Sequence, residues 1–394
     1  MPMQHVKSLD GLRGIAALIV VLFHMDAFFG TVFSPDGLYT QSTLGWQIYR
    51  RALNGNFSVA VFFVLSGYVL ILKYAKFGTK NDLRAGALKR YFRLTPIVLA
   101  STLLAVGLQS VIGFHNTAAA RIIGGHQWLA SAYPTQLTWL GALKCGLIGA
   151  YQGNVQYNGP LWTIRLELLG SFVLFGFAGL FYKSRFFLIY ALIASCFMSL
   201  LFNNDGLYLS LFLIGAAFHK HPKSRFSVWW LIPAMVLATE NPWTPEVTFI
   251  RERINTPIDI DVLCHSIAAI LMVGVVLNSK HLQNALSGPV ILFLGRISFS
   301  LYAVHLPVMM SAGTWVMVHW GGRFGAFAAI VTTIIVSVMI AFILTETLDK
   351  WAQKLANLVA SRLMRADCLE APATGISDGT RNAMFVNFTP PELE

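Results

Sequence analysis

Charge is scarce in this sequence of 394 residues. Only 12% are Asp, Glu, Lys or Arg, where a soluble domain carries about a quarter. Acids are scarcer than bases, 18 against 29, which gives a formal charge of +11. Cysteine is nearly absent. Cys145, Cys196, Cys264 and Cys368 are scattered, with neither metal-ligand spacing nor a disulfide framework. No small-residue cleavage site follows the apolar run Ile15–Phe23, and Asp10 and Arg13 sit against that run. It therefore reads as a retained first helix and not as a signal peptide. There is no internal repeat. These absences exclude a disordered chain, a soluble globular enzyme and a disulfide-stapled scaffold.

What the sequence has is apolar side chain. Hydrophobic residues make up 56%, Phe alone numbers 29, and the mean hydropathy is +0.61. A core of this length cannot hide so much. The expected fold is all-α, a polytopic transmembrane bundle. Runs long enough to cross a bilayer fall near 11–29, 57–74, 95–113, 161–182, 186–203, 205–218, 227–239, 259–278, 295–318 and 324–346. A further apolar stretch, 138–151, is interrupted by Lys144 and about 14 residues long, and reads as re-entrant or interfacial. Ten spans with both termini inside place 19 cations in inside segments and 7 outside, as the positive-inside bias requires. Counting 138–151 as a span would put the basic stretch Lys220, Lys223, Arg225 outside. The excess positive charge is split among short inside loops, which argues against nucleic acid as a partner. One domain, 1–350, is expected, followed by a cytoplasmic tail, 351–394, whose polar end from about 366 should be disordered.

Ionisable groups within spans are costly and mark function by default. In the first helix Arg13 and His24 are eleven residues apart, three turns plus about 20°, so they share a face roughly 16 Å apart. Asp10 and Arg13 are spaced to pair. The second span carries Ser66-Gly67, small residues that admit either a neighbouring helix or a thin ligand. The loop after it is the most basic on the chain and ends in Arg90 and Arg93. One turn apart, they can grip one polyanion or lipid headgroups. Glu167, about two turns below the outer surface, needs a partner from another helix, a His or an Arg, because Arg165 points elsewhere. The ninth span aligns Ser298, Tyr302 and His305 at i, i+4 and i+7, with Pro307 beyond them to kink the helix. Each feature has a structural alternative, such as snorkelling, helix packing or topology.

Taken in order, Leu9–Gly14 with Arg13 and His24, Phe62 with Ser66-Gly67, Arg90 and Arg93 with Pro96, Asn158 with Trp162 and Glu167, and Gly295 with Ser298, Tyr302 and His305 resemble the acyltransferase 3 family of bacterial integral-membrane O-acyltransferases. The match spans residues 9 to about 350. Thr163 and Arg165 depart from the usual pattern, which bears on the acceptor more than on the chemistry. Some members carry a further C-terminal esterase-like domain, and none is expected here.

The resemblance implies a bacterial inner-membrane enzyme with acyl-coenzyme A as donor substrate, most often acetyl, on the cytoplasmic side. It implies a carbohydrate acceptor outside and no metal. Arg13, Ser66, Gly67, Arg90 and Arg93 would then hold the donor. His24 would be general base, oriented by Glu167 as in a triad, with Tyr302 and His305 steadying the thioester oxygen or shaping the tunnel. An acyl-His intermediate is the alternative route. The rivals are a glycan-intermediate transporter or flippase, a structural membrane protein, and acylation of a small secondary metabolite.

Overall fold

The computed structural model describes residues 7–33, 52–123, 130–133, 136–220, 226–240, 244–254 and 256–370. Among these residues every regular element is helical. The helices that position the site are α1 (Lys7–Phe29), α2 (Gly55–Leu70), α3 (Lys80–Val111), α4 (Trp139–Leu147), α5 (Trp162–Phe181), α6 (Phe187–Ala217), α7 (Leu231–Ala238), α8 (Ile260–Asn278), α9 (Pro289–Val308), α10 (Gly322–Leu344) and α11 (Lys350–Glu370). Eight stretches are long and apolar enough to cross a membrane, and Val228–Ala238 is a shorter apolar helix.

Counting α6 as two limbs raises the eight to nine, and the shorter helix Val228–Ala238 stands where the expected span 227–239 falls. Asn203 takes φ 51° and ψ −127°, outside the helical region. A Cβ on Gly206 would lie 1.9 Å from the Met198 carbonyl oxygen, and Ser210 Oγ donates to the Ser195 carbonyl at 3.4 Å. In a straight helix those two residues would be about 22 Å apart. The chain reverses at Asn203, and the limbs correspond to the expected spans 186–203 and 205–218. The stretch 138–151 forms only the nine-residue α4, roughly 14 Å long and too short to cross. It lies against α3, where Thr102 Oγ1 donates to the Ala142 carbonyl at 3.0 Å.

The basic segment expected as a loop is helical. Lys80–Arg93 and the following span form one helix, α3, with Pro96 inside it. At the other end of the chain α11 continues past residue 350 and packs on α3, burying Ala352, Ala356 and Ala360, a stripe four residues apart. The boundary drawn at 350 therefore falls within a helical stretch. Residues 371–394, where the disordered end was expected, lie outside the described residues, as do Lys223 and Arg225.

Two close backbone approaches set the geometry of the site. A Cβ on Gly14 would lie 2.4 Å from Gly295 N, and one on Gly295 would lie 2.3 Å from the Asp10 carbonyl oxygen. Only glycine lets α1 and α9 touch there. A Cβ on Gly67 would lie 2.2 Å from the Phe212 carbonyl oxygen, and one on Gly215 2.2 Å from that of Val64. That contact welds α2 to the second limb of α6.

Candidate functional site

Arg13, Ser66, Arg90, Arg93, Glu167, Ser298 and Tyr302 converge on one cavity of about 140 Å³. They come from α1, α2, α3, α5 and α9, so five segments scattered along the sequence supply one wall each. Three guanidinium groups and one carboxylate are the charged groups of the lining. The rest is mainly apolar or aromatic, with Val59, Phe62, Phe63, Leu94, Ile164 and Phe299.

The cavity has a direction. Arg93, whose side chain is 33% exposed, marks its mouth on the basic side of the molecule. The far end is reached at Val59, Phe62, Thr163 and Tyr302. Phe23 packs against Gly55, so His24 lies level with the start of α2. Val59 is one turn below that level, about 6 Å. Ser66 is eleven residues below it, about 16 Å, the same spacing that separates Arg13 from His24. Arg13 and Ser66 therefore meet at one depth, and His24 stands about one turn beyond the cavity's far end.

Glu167 has the interhelical partner expected of it. Its Oε1 accepts from Ser66 Oγ at 2.9 Å and pairs with Arg90. Arg165 turns away to Asp205 at 3.4 Å. The depth expected for Glu167 is corrected. Its carboxylate is engaged by Ser66 and Arg90, and the backbone of Ser66 stands about 16 Å below the level of His24, so the bonds it makes are not those of a His24 triad. A helix-wheel reading of one helix fixes the face of a residue but not the tilt of its neighbours.

Arg90 and Arg93 are also more occupied than expected. Arg93 pairs with Asp349, whose second oxygen accepts from Gln353 Nε2 at 3.1 Å. Glu346 and Asp349 are the two acids at the end of the last span. The helix is widened to a π turn over Thr345–Asp349, and such turns gather at functional positions. Gly67 is not among the residues lining the cavity. It is taken up by the contact with α6, while its neighbour Ser66 does face the cavity.

At the far end His305 is fully buried and its Nε2 lies 3.3 Å from His24 Nδ1. Tyr302, one turn away, donates its hydroxyl to the Pro160 carbonyl at 2.8 Å and accepts from Thr163 Oγ1 at 3.1 Å. Its hydroxyl proton is thus committed to a carbonyl, and Tyr302 shapes the tunnel wall instead of offering a free donor to a thioester oxygen. Phe62 packs edge-on to it, with ring centroids 6.0 Å apart.

Pro307 has no N–H to give the Ala303 carbonyl. Asn158 Nδ2 supplies the missing bond at 2.6 Å. The helix continues past Pro307 and widens to a π turn over Met309–Gly313. Asn158, fully buried, so fixes the stretch of α9 that carries His305.

The arrangement offers a cation-lined slot leading to a pair of imidazoles, the buried His305 and the half-buried His24, which suits delivery of an anionic carrier's reactive end to a base. No solved structure matches the chain. The O-acetyltransferase PaAT-1 of Phomopsis amygdali is 27% identical over 379 residues, covering 79% of this chain and 74% of the relative. The acyltransferase domain family matches residues 6–342. That match takes in α1 through nearly all of α10, every helix lining the slot included, and the chain belongs to the acyltransferase 3 family as a polytopic membrane O-acyltransferase.

Proposed function

We propose that the protein transfers an acyl group, acetyl in the first instance, from acyl-coenzyme A on the cytoplasmic side to a hydroxyl of a carbohydrate on the outer side of a bacterial inner membrane. The observation that carries this reading is the slot itself. It begins among Arg90 and Arg93 on the basic side and stops about one turn short of His24. The donor's phosphates are anionic and its pantetheine arm is long and thin. With one carboxylate among three guanidiniums, the slot keeps a net positive lining for the first and a narrow apolar path for the second. The name of the relative from Phomopsis amygdali supports acetyl as the group moved.

In the proposed step His24 removes the proton from the acceptor hydroxyl as its oxygen attacks the thioester carbonyl. The carbon–sulfur bond then breaks. The thiolate leaves and takes up a proton, so that coenzyme A departs as the thiol and His24 returns to its neutral form. Arg13 and Arg90 stand along the donor's path, and Glu167 holds Arg90 and Ser66 in place. A transporter of glycan intermediates has no need of a donor slot. The test is thermal protection of the purified protein by coenzyme A. A raised melting temperature in the wild type, weakened in Arg90→Gln, supports the donor assignment. No protection at millimolar coenzyme A overturns it.

A further inference from the structure

The far end of the slot is built of three fixed side chains and one that can give. Tyr302 is buried, and its hydroxyl is tied to the Pro160 carbonyl at 2.8 Å and to Thr163 Oγ1 at 3.1 Å. Thr163 is buried as well, with its Oγ1 3.2 Å from the same Pro160 carbonyl oxygen. Val59 is buried and, being β-branched, is stiff at χ1. Phe62 differs from all three. It is only half-buried, it carries no polar atom to tether it, and it lines the cavity with its ring edge-on to Tyr302 at 6.0 Å. The next residue, Phe63, is buried and packs against Tyr208 and Phe212, with ring centroids 5.5 and 5.3 Å away.

We propose that Phe62 sets the size of the acyl group that the slot accepts. This rests on the reading of the slot as a donor site given above. The thioester is the leading end of the donor, so the acyl group is the part that meets the far wall. Tyr302 is also in ring contact with His305, with centroids 6.0 Å apart, and a longer chain finds no room past it. On α1 the face that runs from Arg13 to His24 passes Ala17 and Val20, which are 0% and 2% exposed. The place where a longer chain gains room is the one that Phe62 fills.

The backbone that carries Phe62 is held on both sides. Asn54 Oδ1 accepts from Phe57 N at 3.0 Å and caps the start of α2. The close approach of Gly67 to the Phe212 carbonyl fixes the other end. A change at the Phe62 ring is therefore a change in the wall and not a shift of the helix. A fitted apolar pocket discriminates against one extra methylene by about 10- to 200-fold, because a packed wall must be forced apart to admit it. Butanoyl carries two methylenes more than acetyl, which brings the difference well within measurement.

The test needs no acceptor. Coenzyme A, acetyl-coenzyme A and butanoyl-coenzyme A are titrated calorimetrically into the full chain in lipid nanodiscs. The wild type should bind the acetyl thioester at least about tenfold more tightly than the butanoyl thioester. Phe62→Ala should lower that ratio by about tenfold or more, and Phe62→Leu should lower it by less. Phe62→Trp should weaken the acetyl thioester itself, an effect of opposite sense that a loosened bundle does not produce. The affinity for coenzyme A, which has no acyl group, should change least in all three variants. A wild type that binds both thioesters alike, or a ratio unchanged in the alanine and leucine variants, overturns the inference and leaves the donor site standing. Loss of coenzyme A binding in all three variants makes Phe62 part of the frame and overturns it as well. If the wild type binds neither coenzyme A nor its thioesters at millimolar concentration, the donor reading falls and the inference with it.

Discussion

The two ends of the slot handle charge in opposite ways. At the basic end Arg90 is matched by Glu167 and Arg93 by Asp349. At the far end two imidazoles meet, His24 facing the Val20 carbonyl and His305 the Tyr302 carbonyl. Paired charge leaves no naked cations inside a bilayer, and in the proposed function it holds the donor's phosphates. In the proposed reaction one end binds the donor and the other reacts.

The largest way to break that division is at the reacting end. His24→Ala should lower transfer by about 10²- to 10⁴-fold, the usual worth of a positioned base, and leave thermal protection by coenzyme A intact. Loss of that protection in the same variant would mean that the two ends are not separable. At the binding end, Arg90→Gln should destabilise the protein by about 3–5 kcal/mol, because it strands Glu167 in a mostly buried site, and should raise the donor KM. The double variant Arg90→Gln with Glu167→Gln should recover the stability but not the KM. That non-additivity, read in a double-mutant cycle, separates the pair's structural worth from its ligand contact.

Gly67→Ala should cost about 1–3 kcal/mol by pushing α2 from the second limb of α6, lowering the melting temperature with the donor KM unchanged. A changed KM would return Gly67 to the donor path. The smallest effect is expected from Asp349→Asn. Its partner Arg93 is a third exposed, so solvent discounts the pair to about 1 kcal/mol or less. Donor KM should move little, and toward tighter binding if at all.

The apolar runs made the bundle legible, down to the reversal near Asn203, where Asn-Asn-Asp-Gly interrupts the hydropathy. The residues of the slot were legible as polar groups out of place. Arg13, Ser66, Glu167 and Tyr302 all line it, and His24 and His305 meet. What the sequence hid was which of them touch. The partner of Glu167 was correctly expected to be a cation or a histidine from another helix, yet choosing Arg90 over His24 requires the relative tilt of three helices. Asp349 escaped notice because it stands beyond the last apolar run, where an acid carries no penalty. The hydrogen bond from Asn158 to Ala303 follows from Pro307 by chemistry, but the residue that would answer the open carbonyl lies 145 positions away.

The most direct test of the account supplies labelled acetyl-coenzyme A separately to the cytoplasmic and the outer face of sealed, oriented membrane vesicles carrying the wild type or His24→Ala. Label should enter outward-facing carbohydrate only from the cytoplasmic face and only with His24 present. Equal labelling by the His24 variant, or labelling from the outer face, would contradict a slot that loads from the basic side and reacts at His24.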